Sequence, residues 1–249
     1  MRHYRTAISL FLLPMLVGCS AAQVSIPPAA AVPATHQRLI DRRDAEGRTA
    51  LSRAVSARDM TAVRDLIARG ASVNTADKTG TSPLMYAIRA NSLALAQLLL
   101  DNGATVRTHT RTGYTPLMIA AARGHSEIAA MLISSGADIN GRSDENDTAL
   151  ILAAMYGHTE TARLLIAHGA DVNAREVNGI TALMMAADGG NFVLVRDLLA
   201  QGAEADTTTL SGESALLLAA DKGYKDIVRL LQNAGATTPR DYRPTQSVA

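Results

Sequence analysis

Residues 113–136 read Gly-Tyr-Thr-Pro-Leu-Met-Ile-Ala-Ala-Ala-Arg-Gly-His-Ser-Glu-Ile-Ala-Ala-Met-Leu-Ile-Ser-Ser-Gly. Gly113 opens a turn, Thr115 offers a hydroxyl able to cap a helix, and Pro116 stands where its missing N–H and fixed φ suit the first helical turn. The stretch therefore predicts a short helix from Pro116, with Leu117, Ala120 and Ala121 on one face and the alanines allowing a neighbouring helix to approach closely. Gly124 ends that helix. Ile128, Met131 and Leu132 form the apolar stripe of a second helix, which stops at Gly136 because a left-handed glycine lets the last carbonyls find partners. Asp138 to Gly141 then lead into an extended finger.

The same arrangement recurs along the chain. Gly-Ala pairs begin at Gly70, Gly103, Gly136, Gly169, Gly202 and Gly235, always 33 residues apart. A second series at the same interval, Gly47, Gly80, Gly113, Asn146, Gly179 and Gly212, is followed each time by Leu within four residues. Six units thus run from about Leu39 to Thr237 without insertion. Only 3% of residues are aromatic and none is Trp, a composition that suits small side chains in stacked helices and disfavours a β-sandwich or barrel.

This pattern resembles the ankyrin repeat. Asn146 to Asn173 carries the likeness most closely, in Ala153-Ala154, Gly157-His158, Leu164-Leu165 and Gly169-Ala170-Asp171-Val172-Asn173. The resemblance implies an all-α repeat fold, a solenoid of helix-turn-helix units with extended fingers. One departure stands out. Where that family often has His, this chain has Ser52, Met85, Met118, Ile151, Met184 and Leu217, so apolar packing is expected in place of a polar link. Terminal units should differ from inner ones, because each exposes a face that inner repeats bury. Arg53, Arg58 and Asp65 in the first unit and Gln232 in the last read as such polar caps.

The chain begins with Arg2, His3 and Arg5, then runs apolar from Ala7 to Val17 with Ser9 and Pro14 as interruptions. Eleven residues at about 1.5 Å each cannot cross a hydrocarbon layer roughly 30 Å thick, so this reads as a secretory signal peptide. Its end, Leu16-Val17-Gly18-Cys19, resembles the lipobox of bacterial lipoproteins. That likeness implies cleavage of residues 1–18 and acylation of Cys19, the single cysteine. Buried acyl chains contribute about 0.8 kcal/mol per CH₂, enough in combination for stable anchoring. Ser20, rather than Asp, inclines the resemblance toward the outer membrane over the inner, facing the periplasm. Residues 19–38 read as a lipidated terminus and tether, in which the Ala- and Pro-rich stretch from Ser20 to His36 could extend about 50 to 60 Å. Residues 39–237 form the repeat domain and 238–249, with Pro239 and Pro244, a loosely packed tail.

Little in the sequence points to chemistry. His125-Ser126-Glu127 and His158-Thr159-Glu160 place His and Glu two apart, but both fall at the Gly-His-x-Glu start of a second helix and no cysteine pair follows. Met85, Met118 and Met184 recur at one interior position, where core filling outweighs a copper-handling role. Asp144-Glu145-Asn146-Asp147 lacks the spacing of a calcium loop and reads as a solvated finger tip. No phosphate loop or nucleophile elbow is present. An enzyme, a cofactor, a metal and a small-molecule substrate are therefore not expected. Charge excludes a general field for nucleic acid: the 24 basic residues less Arg2 and Arg5 stand against 23 acidic ones.

What remains is surface. Proteins of the resembled family bind partners through finger tips and the exposed side of the first helices, which line a concave face. Carried over unit by unit, the partner-binding positions are Arg89, Arg111, Tyr114, Arg123, Asp147, Met155, Tyr156, Ile180 and Asp188. Charge changes sign along this strip, from Arg48, Lys78, Arg89, Arg111 and Arg123 to Asp144, Glu145, Asp188, Glu213 and Asp221. Tyr114, Met155 and Tyr156 lie near its middle, and aromatic and Arg side chains dominate binding hot spots. The reading is a monomeric, lipid-anchored scaffold or adaptor for a protein partner. An immunity protein that neutralises a periplasm-targeted toxin is the alternative, and a metal carrier or enzyme a more distant one.

Overall fold

The computed structural model describes residues 40–237. Cys19, the signal sequence, the tether and the tail lie outside these residues. Among the described residues twelve helices follow one another in six pairs: α1 (Ala50–Ser56) with α2 (Met60–Ala68), α3 (Pro83–Arg89) with α4 (Leu93–Asp101), α5 (Pro116–Ala122) with α6 (Ser126–Ser134), α7 (Ala149–Met155) with α8 (Thr159–Ala167), α9 (Ala182–Asp188) with α10 (Phe192–Ala200), and α11 (Ala215–Asp221) with α12 (Lys225–Asn233). The all-α repeat fold expected from the sequence is the fold observed. Apart from one isolated bridge between Thr208 and Ser214, the described residues hold no β structure. None of these helices is long and apolar enough to cross a membrane.

Each first helix starts the same way. The hydroxyls of Thr49, Ser82, Thr115, Thr148, Thr181 and Ser214 accept the N–H three residues on, and each such cap typically stabilises a helix by about 1 kcal/mol. Thr49, Ser82, Thr148, Thr181 and Ser214 are themselves buried. Between the helices of a pair the chain turns through positive φ at Arg58, Asn91, Gly124, Gly157, Gly190 and Gly223. At Gly124 a Cβ would fall 2.5 Å from Nδ1 of His158 in the next unit, so any other residue there would have to displace that ring.

The units meet through one continuous core. First helices pack on first helices and second on second, with Ala87, Ala120, Ala121, Ala153, Ala154, Ala186, Ala187 and Ala219 buried among leucines. The position without the family's His is mostly apolar as expected, since Met85, Met118, Ile151 and Met184 are buried. Two members still make polar links. Ser52 Oγ shares a hydrogen bond with Thr49 Oγ1, and Met118 Sδ accepts the N–H of Thr115 at 3.4 Å. Arg53, Arg58, Asp65 and Gln232 in the outer units are exposed.

A second, exposed set of ties joins successive loops. Asn74 donates to the Gly103 carbonyl and accepts the Thr105 N–H; Asn140 does the same with Gly169 and Asp171, and Asn173 with Gly202 and Glu204. Asp41 and Asp206 supply the accepting half of the tie, to Ser72 and Thr237. These residues are spaced by the repeat, so the position for the third unit is Arg107. Its side chain cannot accept an N–H. At the alanine ending each unit, Ala71, Ala104, Ala170, Ala203 and Ala236 are buried and Ala137 is partly buried. Arg107→Asn should restore the tie and raise the unfolding free energy by about 1 kcal/mol. Urea melts test this, and a variant no more stable than the parent would show that the tie contributes nothing.

Candidate partner-binding groove

Before each first helix the chain makes a finger. Its base is closed by one backbone hydrogen bond, as from the Asp77 N–H to the Thr81 carbonyl or from the Thr110 N–H to the Tyr114 carbonyl. Its bend lies at Gly47, Gly80, Gly113, Asn146, Gly179 and Gly212, all at positive φ. One side chain staples each bend, accepting the N–H four residues on: Asp44 from Arg48, Asp77 from Thr81, Thr110 from Tyr114, Ser143 from Asp147, Glu176 from Ile180 and Thr209 from Glu213. The fingers are then tied in a row by Lys78 N–H to Glu46, Arg111 to Thr79, Asp144 to Thr112, Val177 to Glu145 and Leu210 to Asn178.

Between this row and the ends of the first helices lies a groove of about 660 Å³. Lys78, Arg89, Arg111 and Arg123 line it together with Tyr114 and Tyr156. Five of the nine residues predicted to bind a partner, Arg89, Arg111, Tyr114, Arg123 and Tyr156, are thus brought to one place. Met155 is exposed beside Tyr156. Ile180 and Asp188 belong to the next unit and are half-buried, with Asp188 paired to Lys222 at 3.4 Å.

Asp147 requires a correction. It is buried, because the left-handed turn at Asn146 carries the chain inward after Asp144 and Glu145 have been exposed. Its carboxylate accepts the Tyr114 hydroxyl at 3.0 Å and that of Ser143 at 3.2 Å. It is a fastening between two fingers and offers nothing to a partner. Tyr114 is correspondingly half-buried, and only part of its ring edges the groove. Burial first, and then the hydrogen bond to Asp147, push the Tyr114 hydroxyl up to about 12. A different tyrosine bond lies within the second unit, where Tyr86 of α3 donates to Asp77 of its own finger at 2.6 Å. Burial works to raise the Asp77 carboxyl, but hydrogen bonds from Tyr86, Thr79 and Thr81 outweigh it and leave it lowered.

Electrostatically the groove is one-sided. Nine ion pairs occur among the described residues, and none involves Lys78, Arg89, Arg111 or Arg123. Of the acids in the first two fingers, Asp77 is engaged with Tyr86 and Glu46 with Arg48. The Tyr156 side chain, 57% exposed, stacks beside His158 with ring centroids 6.4 Å apart. His158 Nε2 lies 3.2 Å from the Ala122 carbonyl and so ties the fourth unit to the third. His125, in turn, is lowered by burial first and then by Arg123 and His158. Among the described residues no three His, Cys, Asp or Glu side chains gather in a way that could hold a metal.

The sequence reading missed Val177, an exposed apolar side chain in register with Lys78, Arg111, Asp144 and Leu210. The repeat interval alone would have found it. It also missed the staple residues, which vary among Asp, Thr, Ser and Glu and so show no repeated letter.

A family model described as ankyrin repeats (3 copies) matches residues 30–110, 106–176 and 173–241. No curated protein matches the chain. If Tyr114 is a fastening, Tyr114→Phe should cost about 1–3 kcal/mol by leaving a buried carboxylate short of a donor, while Tyr156→Phe should change stability by less than about 0.5 kcal/mol. Equal effects in urea melts would show that the Asp147 bond is not structural.

Proposed function

This chain belongs to the ankyrin-repeat family, whose members generally mediate protein–protein interaction, and on that premise we propose that it is a lipid-anchored adaptor in a bacterial envelope. It captures a partner protein in the periplasm through the row of fingers and the ends of its first helices. The observation that carries the reading is the groove between units two and four. A large exposed tyrosine stands there beside four cations that make no ion pair among the described residues. Such side chains are open to an outside ligand, the ring offering a large rigid contact and each guanidinium a planar fork of donors. The anchor rests on Leu16-Val17-Gly18-Cys19, and Ser20 favours the outer membrane.

Two measurements test this. Cys19→Ala should leave the protein without lipid label and release it from the membrane fraction; a variant that keeps its label, or stays membrane-bound in high salt, would refute the anchor. Tyr156→Ala should weaken capture of the envelope partner by about 1–4 kcal/mol with the melting curve unmoved. Glu127→Lys, on the exposed outer side of α6, should leave capture intact. The reverse pattern would place binding on the second helices.

A further inference from the structure

The same groove also specifies what kind of segment it receives, an inference that rests on the protein-binding reading above. We propose that it seats the carboxylates of a short, extended, acidic stretch of the partner polypeptide, with an apolar residue beyond them resting on Met155 and Tyr156.

Backbone recognition is closed off first. A peptide adding itself as a strand needs free N–H groups along the finger row, but those of Lys78, Arg111 and Asp144 already donate to the preceding finger. The neighbouring hydroxyls are engaged as well, Thr79 with Asp77 and Thr81, and Thr112 with Thr110. What the groove presents is therefore charge on long side chains. Lys78 and Arg111 reach in from two successive fingers, Arg89 and Arg123 from the ends of two successive first helices. Three of the four are guanidinium groups, whose planar forks match a carboxylate with two parallel hydrogen bonds. Four like charges around one groove, none of them in an ion pair among the described residues, repel one another until an anionic ligand arrives, so complementarity favours an acidic occupant.

The next unit decides which anion. One finger further along the row stand Asp144 and Glu145, both exposed, and at the end of α9 stands Asp188. A nucleic acid carries like charge at every step and would be driven across these carboxylates. A polypeptide changes its side chain about every 3.3 Å and can be acidic over the groove and apolar beyond it. Met155, 42% exposed, and Tyr156 lie where that change has to occur.

The test uses the full chain in detergent, with fluorescence anisotropy of three labelled probes: a short peptide of alternating Glu and Gly ending in Leu, the same peptide with Lys for Glu, and an oligothymidine of similar length. The Glu peptide should bind, the Lys peptide should not, and the oligothymidine should bind more weakly. The double variant Arg111→Glu/Arg123→Glu should weaken the Glu peptide by roughly tenfold or more, and raised salt should do likewise. Arg89→Gln, on a different helix, should weaken it too and guards against a fold defect in the double variant. Oligothymidine binding as tight as the Glu peptide, or peptide binding indifferent to all three arginines, would overturn the proposal. If the peptide fails to bind while Tyr156→Ala still abolishes partner capture, the acidic segment is wrong and the protein-binding reading survives. If Tyr156→Ala also leaves capture unchanged, both fall.

Discussion

No unit of this chain can bury its own apolar face. A seven-residue helix leaning on a nine-residue one leaves leucine and methionine surface on two sides, and only the unit before and the unit after can cover it. Burial at about 25 cal/mol per Å² is then a property of interfaces, so the stability of the stack resides in its neighbour contacts. The alanines at the first-helix interface follow from this constraint. Larger side chains would force the helices apart and open the voids that close packing excludes. The hydroxyl caps follow as well, because a helix end carried into such an interface has no water to satisfy its first N–H groups.

The surface is thereby released from structural duty, though not uniformly. Acidic side chains in the first two fingers fold back on their own turns, as Asp44 does: its carboxyl is held at about 2, where burial, which would raise it, is outweighed by hydrogen bonds from Arg48 and Arg53. Arg163 and Asp197 likewise neutralise each other between two second helices at 2.6 Å. Other cations, such as Arg58, Arg64 and Arg107, also make no ion pair among the described residues, so what distinguishes Lys78, Arg89, Arg111 and Arg123 is that all four line one groove, where like charges add to a single local field.

The period, the helix pairs, the turn glycines and the interior methionines were all readable from the residues, since each repeats a letter or a class of letter every 33 positions. Most of the groove was readable too, because Arg89, Arg111, Arg123 and Tyr156 occupy repeat positions that the packing leaves free. Asp147 was not. Its neighbours Asp144 and Glu145 are exposed, and only the positive φ of Asn146, which replaces the usual glycine, turns the fourth residue of an acidic run under the finger. The loop ties were equally hidden: an exposed Asn that bonds backbone and an exposed Asn that bonds water look the same in a sequence.

Arg107 and His158 together fasten the middle of the stack unevenly. The imidazole of His158 lies over Gly124 and reaches Ala122, clamping the third unit to the fourth where the helices turn. The loop that leaves the third unit lacks the tie that every other unit has. Its Asp138 N–H and Gly136 carbonyl face solvent where their counterparts at Thr105 and Gly103 are bonded. Hydrogen exchange at the Asp138 amide should therefore proceed without first breaking such a bond. Arg111 and Arg123 belong to that unit and Tyr156 to the next, so the groove spans a unit held by its helix core and by His158 but not by its outgoing loop. A solenoid of nearly identical parts thus carries its least fastened loop in the unit that supplies two of the groove's charges.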